Sequence, residues 1–168
     1  MLKAQNCGLS DKSAFMMKEA IQKNPKLNIE HLDLSGNPFE KKGITDLLSF
    51  ITSLKSLQHL NLSNCIQNEK DKSSLKHVLS EIIKCKKVNF LNISNNKGAN
   101  LCVKELNSLL TTSTISHFDI SGLELSDKNA DSIKEALIKR FQQDFNLNQN
   151  LKSLIWKNNL SSKKSKEI

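Results

Sequence analysis

The sequence predicts an α/β solenoid of about five to six repeats, shaped as a horseshoe with parallel strands on its concave face and helices on its convex face. Three observations predict it. First, one apolar pattern recurs: Ile29, Leu32, Leu34, then Asn37 and Phe39; Leu57, Leu60, Leu62, Cys65; Val88, Leu91, Ile93, Asn96; Ile115, Phe118, Ile120, Leu123, Leu125; and Leu151, Leu154, Trp156, Asn159. The starts are 28, 31, 27 and 36 residues apart. Second, each interval carries a helical stripe at steps of three and four. Third, the segment from Leu9 to Ile21 matches that from Leu125 to Leu137 at most positions, which marks tandem duplication.

The spacing has a physical meaning. Leu32 and Leu34 alternate as on a strand, so both face one side. The chain then turns, and a buried Asn37 side chain can satisfy backbone groups that no strand partner reaches. Phe39 returns to the interior. A single such coil cannot bury its apolar side and needs copies beside it.

In chain order, the first copy opens in mid-motif, with Leu2, Ala4, Cys7 and Leu9 in the second to fifth slots. Ser10 is placed to cap the helix that follows, and Asp11 suits its positive end. Ala14, Met17, Ala20 and Ile21 form its stripe; Phe15 and Met16 lie off it. Asn24-Pro25 ends the helix. The same slots hold Ile44, Leu47, Phe50 and Ile51, then Val103, Leu106, Leu109 and Leu110, then Ala130, Ile133, Ala136 and Leu137. The unit around Leu75, Val78, Leu79, Ile82 and Ile83 is helical with a looser register. Two departures stand out. Leu123 replaces the turn Asn or Cys, which predicts a different arrangement there. An insertion over 139–150 is expected to lengthen the last helix through Phe141 and Phe145, with a partner-binding bulge as the alternative.

The array is expected to cover 1–160, with a polar, disordered tail over 161–168. It begins inside a repeat and stops just after a strand, with no capping unit. The expectation is a fragment of a longer array, or ends covered by a partner or by self-association.

Composition narrows the functions. No apolar run approaches a transmembrane length, and the polar start is not a secretory signal. The net charge is +8, and Arg140 is the only arginine. With no Tyr and one Trp, the chain lacks the arginine forks and stacking aromatics of nucleic-acid readers. A solvated lysine surface is expected; attraction to acidic partners or anionic lipid is the alternative. Cys7 and Cys65 occupy the turn slot and are expected in the interior. Four cysteines with no C-x-x-C argue against a zinc site and for a reducing compartment, hence the cytoplasm.

Side chains between the core leucines form columns on the concave face: His31, His59, Phe90, His117 and Ser153; Asp33, Asn61, Asn92, Asp119 and Ile155; Ser35, Ser63, Ser94, Ser121 and Lys157. His31 and His59 lie within reach of each other, near Asp33, since neighbouring strands are about 4.8 Å apart. That raises a metal or acid–base site. Duplication of one ancestral coil is the preferred account of the columns, and Phe90 interrupts the histidines. No P-loop, G-x-G-x-x-G or G-x-S-x-G occurs. No catalytic residue, metal ligand or cofactor site is assigned; the chain is expected not to be an enzyme. His31, Asp33, His59, Asn61, Phe90, Asn92, His117, Asp119 and Ile155 are candidates for protein interaction.

These units resemble leucine-rich repeats of the ribonuclease-inhibitor class. Within that class, His31–Ile44, Phe118-Asp-Ile-Ser-Gly122 and Asn150-Leu-Lys-Ser-Leu-Ile-Trp156-Lys-Asn-Asn159 resemble the repeats of CARMIL proteins, large actin-regulating scaffolds that bind capping protein and myosin-I partners. The resemblance implies a protein-interaction scaffold linked to the actin cytoskeleton. The family's membrane-binding and capping-protein-binding parts would lie outside this chain, so no ligand site carries over. The alternative is an interaction module of another leucine-rich repeat protein, of the GTPase-activating or immune-receptor type.

Overall fold

A computed structural model describes residues 1–68, 73–112, 114–143 and 151–159. Six short strands join one parallel sheet: β1 (Leu2–Lys3), β2 (His31–Asp33), β3 (His59–Asn61), β4 (Phe90–Asn92), β5 (His117–Asp119) and β6 (Ser153–Ile155). Their order in the sheet is their order in the chain. The register pairs Leu2 with Leu32, Leu32 with Leu60, Leu60 with Leu91, Leu91 with Phe118 and Phe118 with Leu154. Each coil therefore sets its middle apolar residue over the same residue of its neighbour, as in a solenoid.

Helices connect the strands: α1 (Asp11–Lys23), α2 (Lys41–Ser53), α3 (Ser74–Ile82), α4 (Val103–Thr112) and α5 (Asp127–Gln143), with a 3₁₀ turn over Ala99–Leu101 before α4. Successive helices pack side by side. The core lies between sheet and helices. Leu32, Leu60, Leu91 and Phe118 enter it from the sheet; Ile44, Leu47, Leu75, Val78, Leu106, Leu109 and Ile133 enter from the helices. Burying one such aliphatic side chain is worth about 1.5–3 kcal/mol.

The stripe slots hold in the inner coils, where Phe50, Leu109 and Ala136 are buried. In the first coil Ala20 is exposed and Met17 half-buried, because among the described residues no helix packs on the outer side of α1. Phe15 and Met16 are exposed. Cys7 is exposed for the same reason, against the expectation of an interior slot, while Cys65 is buried. Burial pushes the thiols of Cys65 and Cys102 up to about 12. Arg140 is not a surface cation: it is 2% exposed and donates to the Leu110 carbonyl at the end of α4. Helix α5 runs 17 residues against 13 for α1 and α2, in the direction the insertion predicted. Phe145, the loop over 144–150 and the tail over 161–168 lie outside the described residues.

Every coil turns through a left-handed residue three positions after the end of its strand. These are Asn6, Gly36, Asn64, Asn95, Gly122 and Asn158, with φ between 51° and 70°. Asn and Gly are the residues that adopt this conformation at least cost. From the second coil on, the next residue points inward. In alternate coils it is Asn37, Asn96 and Asn159, all buried. Each reaches back into the preceding coil. Asn37 Oδ1 accepts the N–H groups of Cys7 and Leu9 at 3.0 Å, while its Nδ2 donates to the carbonyls of Ala4 and Leu34 at 2.7 Å. Asn159 accepts from Leu123 N–H and donates to the Ile120 carbonyl, each at 2.7 Å. Leu123 takes its polar closure from the following coil, and its turn carries a second left-handed residue, Glu124 at φ 53°, so the turn is arranged differently from that at Cys65, as expected.

Among the described residues, no helix is long and apolar enough to cross a membrane.

Candidate interaction face

With the leucines of each strand turned inward, the residues between them lie on the opposite, helix-free side of the sheet. His31, His59, Phe90 and His117 are half-buried there. The in-register pairing stacks their rings. Ring centroids are 4.0 Å apart for His31 and His59, 5.4 Å for His59 and Phe90, and 6.2 Å for Phe90 and His117, with interplanar angles of 15°, 20° and 30°. Four rings thus form one continuous ladder, and Phe90 continues the histidine row. The rings fan open along the ladder, so its closest packing is at the His31 end.

Burial and the neighbouring imidazoles of His31 and His117 hold the His59 pKa below the ordinary histidine value. A cation on His59 is disfavoured first by lost hydration, then by repulsion from the adjacent His31 and, across Phe90, from His117. His59 is therefore neutral at pH 7. At the far end, the Ser116 hydroxyl lies 2.9 Å from His117 Nδ1.

The second column does different work. Asp33, Asn61, Asn92 and Asp119 each accept, through Oδ1, the backbone N–H of the serine two residues on, at 2.9–3.1 Å. These are Asx turns that end the strands, which explains why the strands are three residues long. The repeated Asp/Asn-x-Ser spacing at 33–35, 61–63, 92–94 and 119–121 carries that signal. Asp33 also accepts from the Ser35 hydroxyl at 2.7 Å, from Asn61 Nδ2 at 3.0 Å, and from Gln5. Burial raises its pKa, but these bonds outweigh that effect and hold the carboxyl below the ordinary value. Gln5, which sequence reasoning did not single out, joins the face because β1 pairs in register with β2.

A shallow cavity of about 240 Å³ opens over β1–β4, lined by Lys3, His31, Asp33, His59, Asn61 and Phe90 among others. Ile155 is 40% exposed at the other end of the sheet, two strand positions along from Ser153. The face thus brings together His31, His59, Phe90 and His117 as a ladder, and Asp33 with Asn61 as a bonded pair. Asn92 and Asp119 continue the second column, while Ile155 stands apart on the last strand.

A metal ion lies near the plane of an imidazole that binds it, and the His31 and His59 planes run almost parallel, so their nitrogens do not converge on one point. Among the described residues, no group of three or more His, Cys, Asp or Glu side chains is placed to hold a metal. The Asp33 carboxylate is occupied by amide, hydroxyl and backbone donors.

No protein-family model matches the chain. Over 126 residues, 71% of its length, the chain is 32% identical to a protein of Dictyostelium discoideum. That relative is Protein CARMIL. The match spans only 11% of CARMIL, so it concerns one region of a much longer polypeptide. A CARMIL-like region is what this similarity supports.

Proposed function

We propose that this chain is a leucine-rich repeat horseshoe of the ribonuclease-inhibitor class, from a CARMIL-like regulator of actin assembly, and that it acts in the cytoplasm as a non-enzymatic scaffold. Its task is to capture a protein partner on the concave face of the sheet. The observation that carries this reading is the ring ladder from His31 to His117: four aromatic or imidazole rings, half-exposed in a row, on a side of the sheet that none of the described helices covers. Aromatic side chains supply large contact area for little lost rotamer freedom and are common anchors at protein interfaces. The similarity to CARMIL supports the actin-regulatory setting, and the parallel in-register sheet supports the repeat class.

The test compares the wild-type chain with a His59→Lys, Phe90→Lys variant in affinity purification from the source cell, with quantitative mass spectrometry. Both side chains project from the sheet, so circular dichroism should be unchanged. Actin-regulatory proteins enriched by the wild type should fall by tenfold or more with the variant. Undiminished capture would rule out the ladder as the contact surface.

A further inference from the structure

A second surface lies on the edge where helices end and the next strands begin. Two adjoining grooves run along it. The first, of about 270 Å³, lies between the ends of α2 and α3; Ile51, Leu54 and Leu57 contribute apolar lining, and Lys55, Lys84, Lys86 and Lys87 contribute charge. The second, of about 190 Å³, lies between the ends of α3 and α4 and is lined by Ile82, Ile83, Leu109, Thr114 and Ile115 among others. Cys85 and Lys86 border both, so the grooves form one track across three coils.

The charge on this track is unbalanced. Of the first groove's four lysines, Lys84 pairs with Glu81 at 2.6 Å, and Lys55, Lys86 and Lys87 form no ion pair among the described residues. All four are exposed. The segment that carries Lys84, Lys86 and Lys87 is held in place. Cys85 N–H donates to the Ile82 carbonyl at 2.8 Å and Val88 N–H to the Cys85 carbonyl at 3.2 Å. The Thr114 hydroxyl, from the next coil, donates to the carbonyls of Lys86 and Val88 at 3.0 and 3.2 Å. A cationic rim fixed over an apolar floor is pre-organised, which lowers the entropy cost of binding.

We infer that this edge track binds an extended acidic peptide segment of a partner protein, with carboxylates on Lys55, Lys86 and Lys87 and an apolar side chain in each groove. The grooves have apolar residues at the base, which fits side chains spaced along a peptide. The site is separate from the sheet face and independent of the reading given for it.

The test is fluorescence anisotropy with a labelled peptide of alternating Glu and Leu, about 12 residues long, which spans roughly 40 Å when extended. Controls replace every Leu by Ser, or every Glu by Gln. The wild-type chain should bind the Glu–Leu peptide, more weakly as salt rises, and each control peptide at least fivefold more weakly. A Lys55→Glu, Lys86→Glu, Lys87→Glu variant should lose tenfold or more in affinity, with an unchanged circular dichroism spectrum. Lys41→Glu, Lys42→Glu, at the opposite end of α2, should change affinity less than twofold. The inference is overturned if the wild type does not bind the peptide, if either control peptide binds as well, or if the Lys41, Lys42 variant loses as much as the triple variant. It is also overturned if phosphatidylserine vesicles or a single-stranded oligonucleotide bind more tightly and lose binding with the same three substitutions.

Discussion

Asn96 closes the turn around Cys65, one coil back. Its Oδ1 accepts the N–H of Cys65 at 2.9 Å and of Ile66 at 2.7 Å, and its Nδ2 donates to the carbonyls of Leu62 and Ile93 at 2.8 and 2.7 Å. One amide thus satisfies backbone groups of two coils. Cys65 in turn donates its thiol to the Leu34 carbonyl, at 3.2 Å, in the coil before that.

Removing such an amide leaves several buried donors and acceptors without partners, each costing about 1–3 kcal/mol. Asn96→Ala is expected to destabilise the chain by about 4 kcal/mol. Asn37→Ala should cost roughly half as much, because water reaches the exposed turn at Cys7 and replaces the lost bonds. Urea unfolding of the two variants checks the ranking; equal losses would contradict it.

Gly36 combines a φ of 70° with a tight neighbour: a Cβ there would lie 1.9 Å from Asn6 Oδ1. Gly36→Ala should therefore cost about 2 kcal/mol, from backbone strain plus the clash. In an Asn6→Ala background the clash disappears and about 1 kcal/mol of conformational cost remains. A double-mutant cycle by chemical denaturation separates the two contributions.

His59 makes stability depend on pH. Its pKa is lowered by burial and by His31 and His117, so the unfolded chain binds more protons in the window just below the ordinary histidine value. Stability therefore rises with pH through that window. The full contribution is present above the unfolded pKa of about 6.5 and falls away as pH drops toward the lower folded value. Asp33 works in the same direction at more acidic pH, since its folded pKa lies below the ordinary carboxyl value. His59→Phe should flatten the melting temperature profile between about pH 7 and 5, because it removes this titrating ring. An unchanged slope would assign the effect elsewhere.

The four cysteines should separate by reactivity. Cys7 is exposed, Cys85 is partly buried with its pKa raised by burial and by Glu81, and Cys65 and Cys102 are buried with pKa values near 12. At pH 8 a thiol reagent should label Cys7 rapidly and Cys85 slowly, while Cys65 and Cys102 react only on unfolding. Cys7→Ser should abolish the fast phase. Rapid modification of two or more thiols in that variant would contradict the packing.

The strand register was legible because the apolar spacing leaves one choice. A shift by one residue turns Leu32, Leu60, Leu91 and Phe118 out to solvent, and no other alignment buries them all. The row was legible for the same reason: once the leucines pair, His31, His59, Phe90 and His117 must stand in line, while the stacking of their rings into a ladder was not. The Asp and Asn column was only half legible. Its place on the sheet followed from the register, while its hydrogen bonds to the serines ahead depend on the angle at which each strand ends.

Other features were decided by tertiary structure. Nothing in the local sequence around Leu123 shows that its turn is closed by Asn159, 36 residues later. The turn slot reads Cys7, Asn37, Cys65, Asn96, Leu123, Asn159, and a coil viewed alone lacks its amide at every second step. Stacked coils are close enough for one side-chain amide to reach across, so half the turns borrow what the others carry. The exposure of Cys7 and Ala20, the burial of Arg140 and the lysine-rimmed edge share that origin. Sequence determines what each coil must bury; only the packing of coil on coil determines which polar groups are satisfied by a neighbour and which are left facing water.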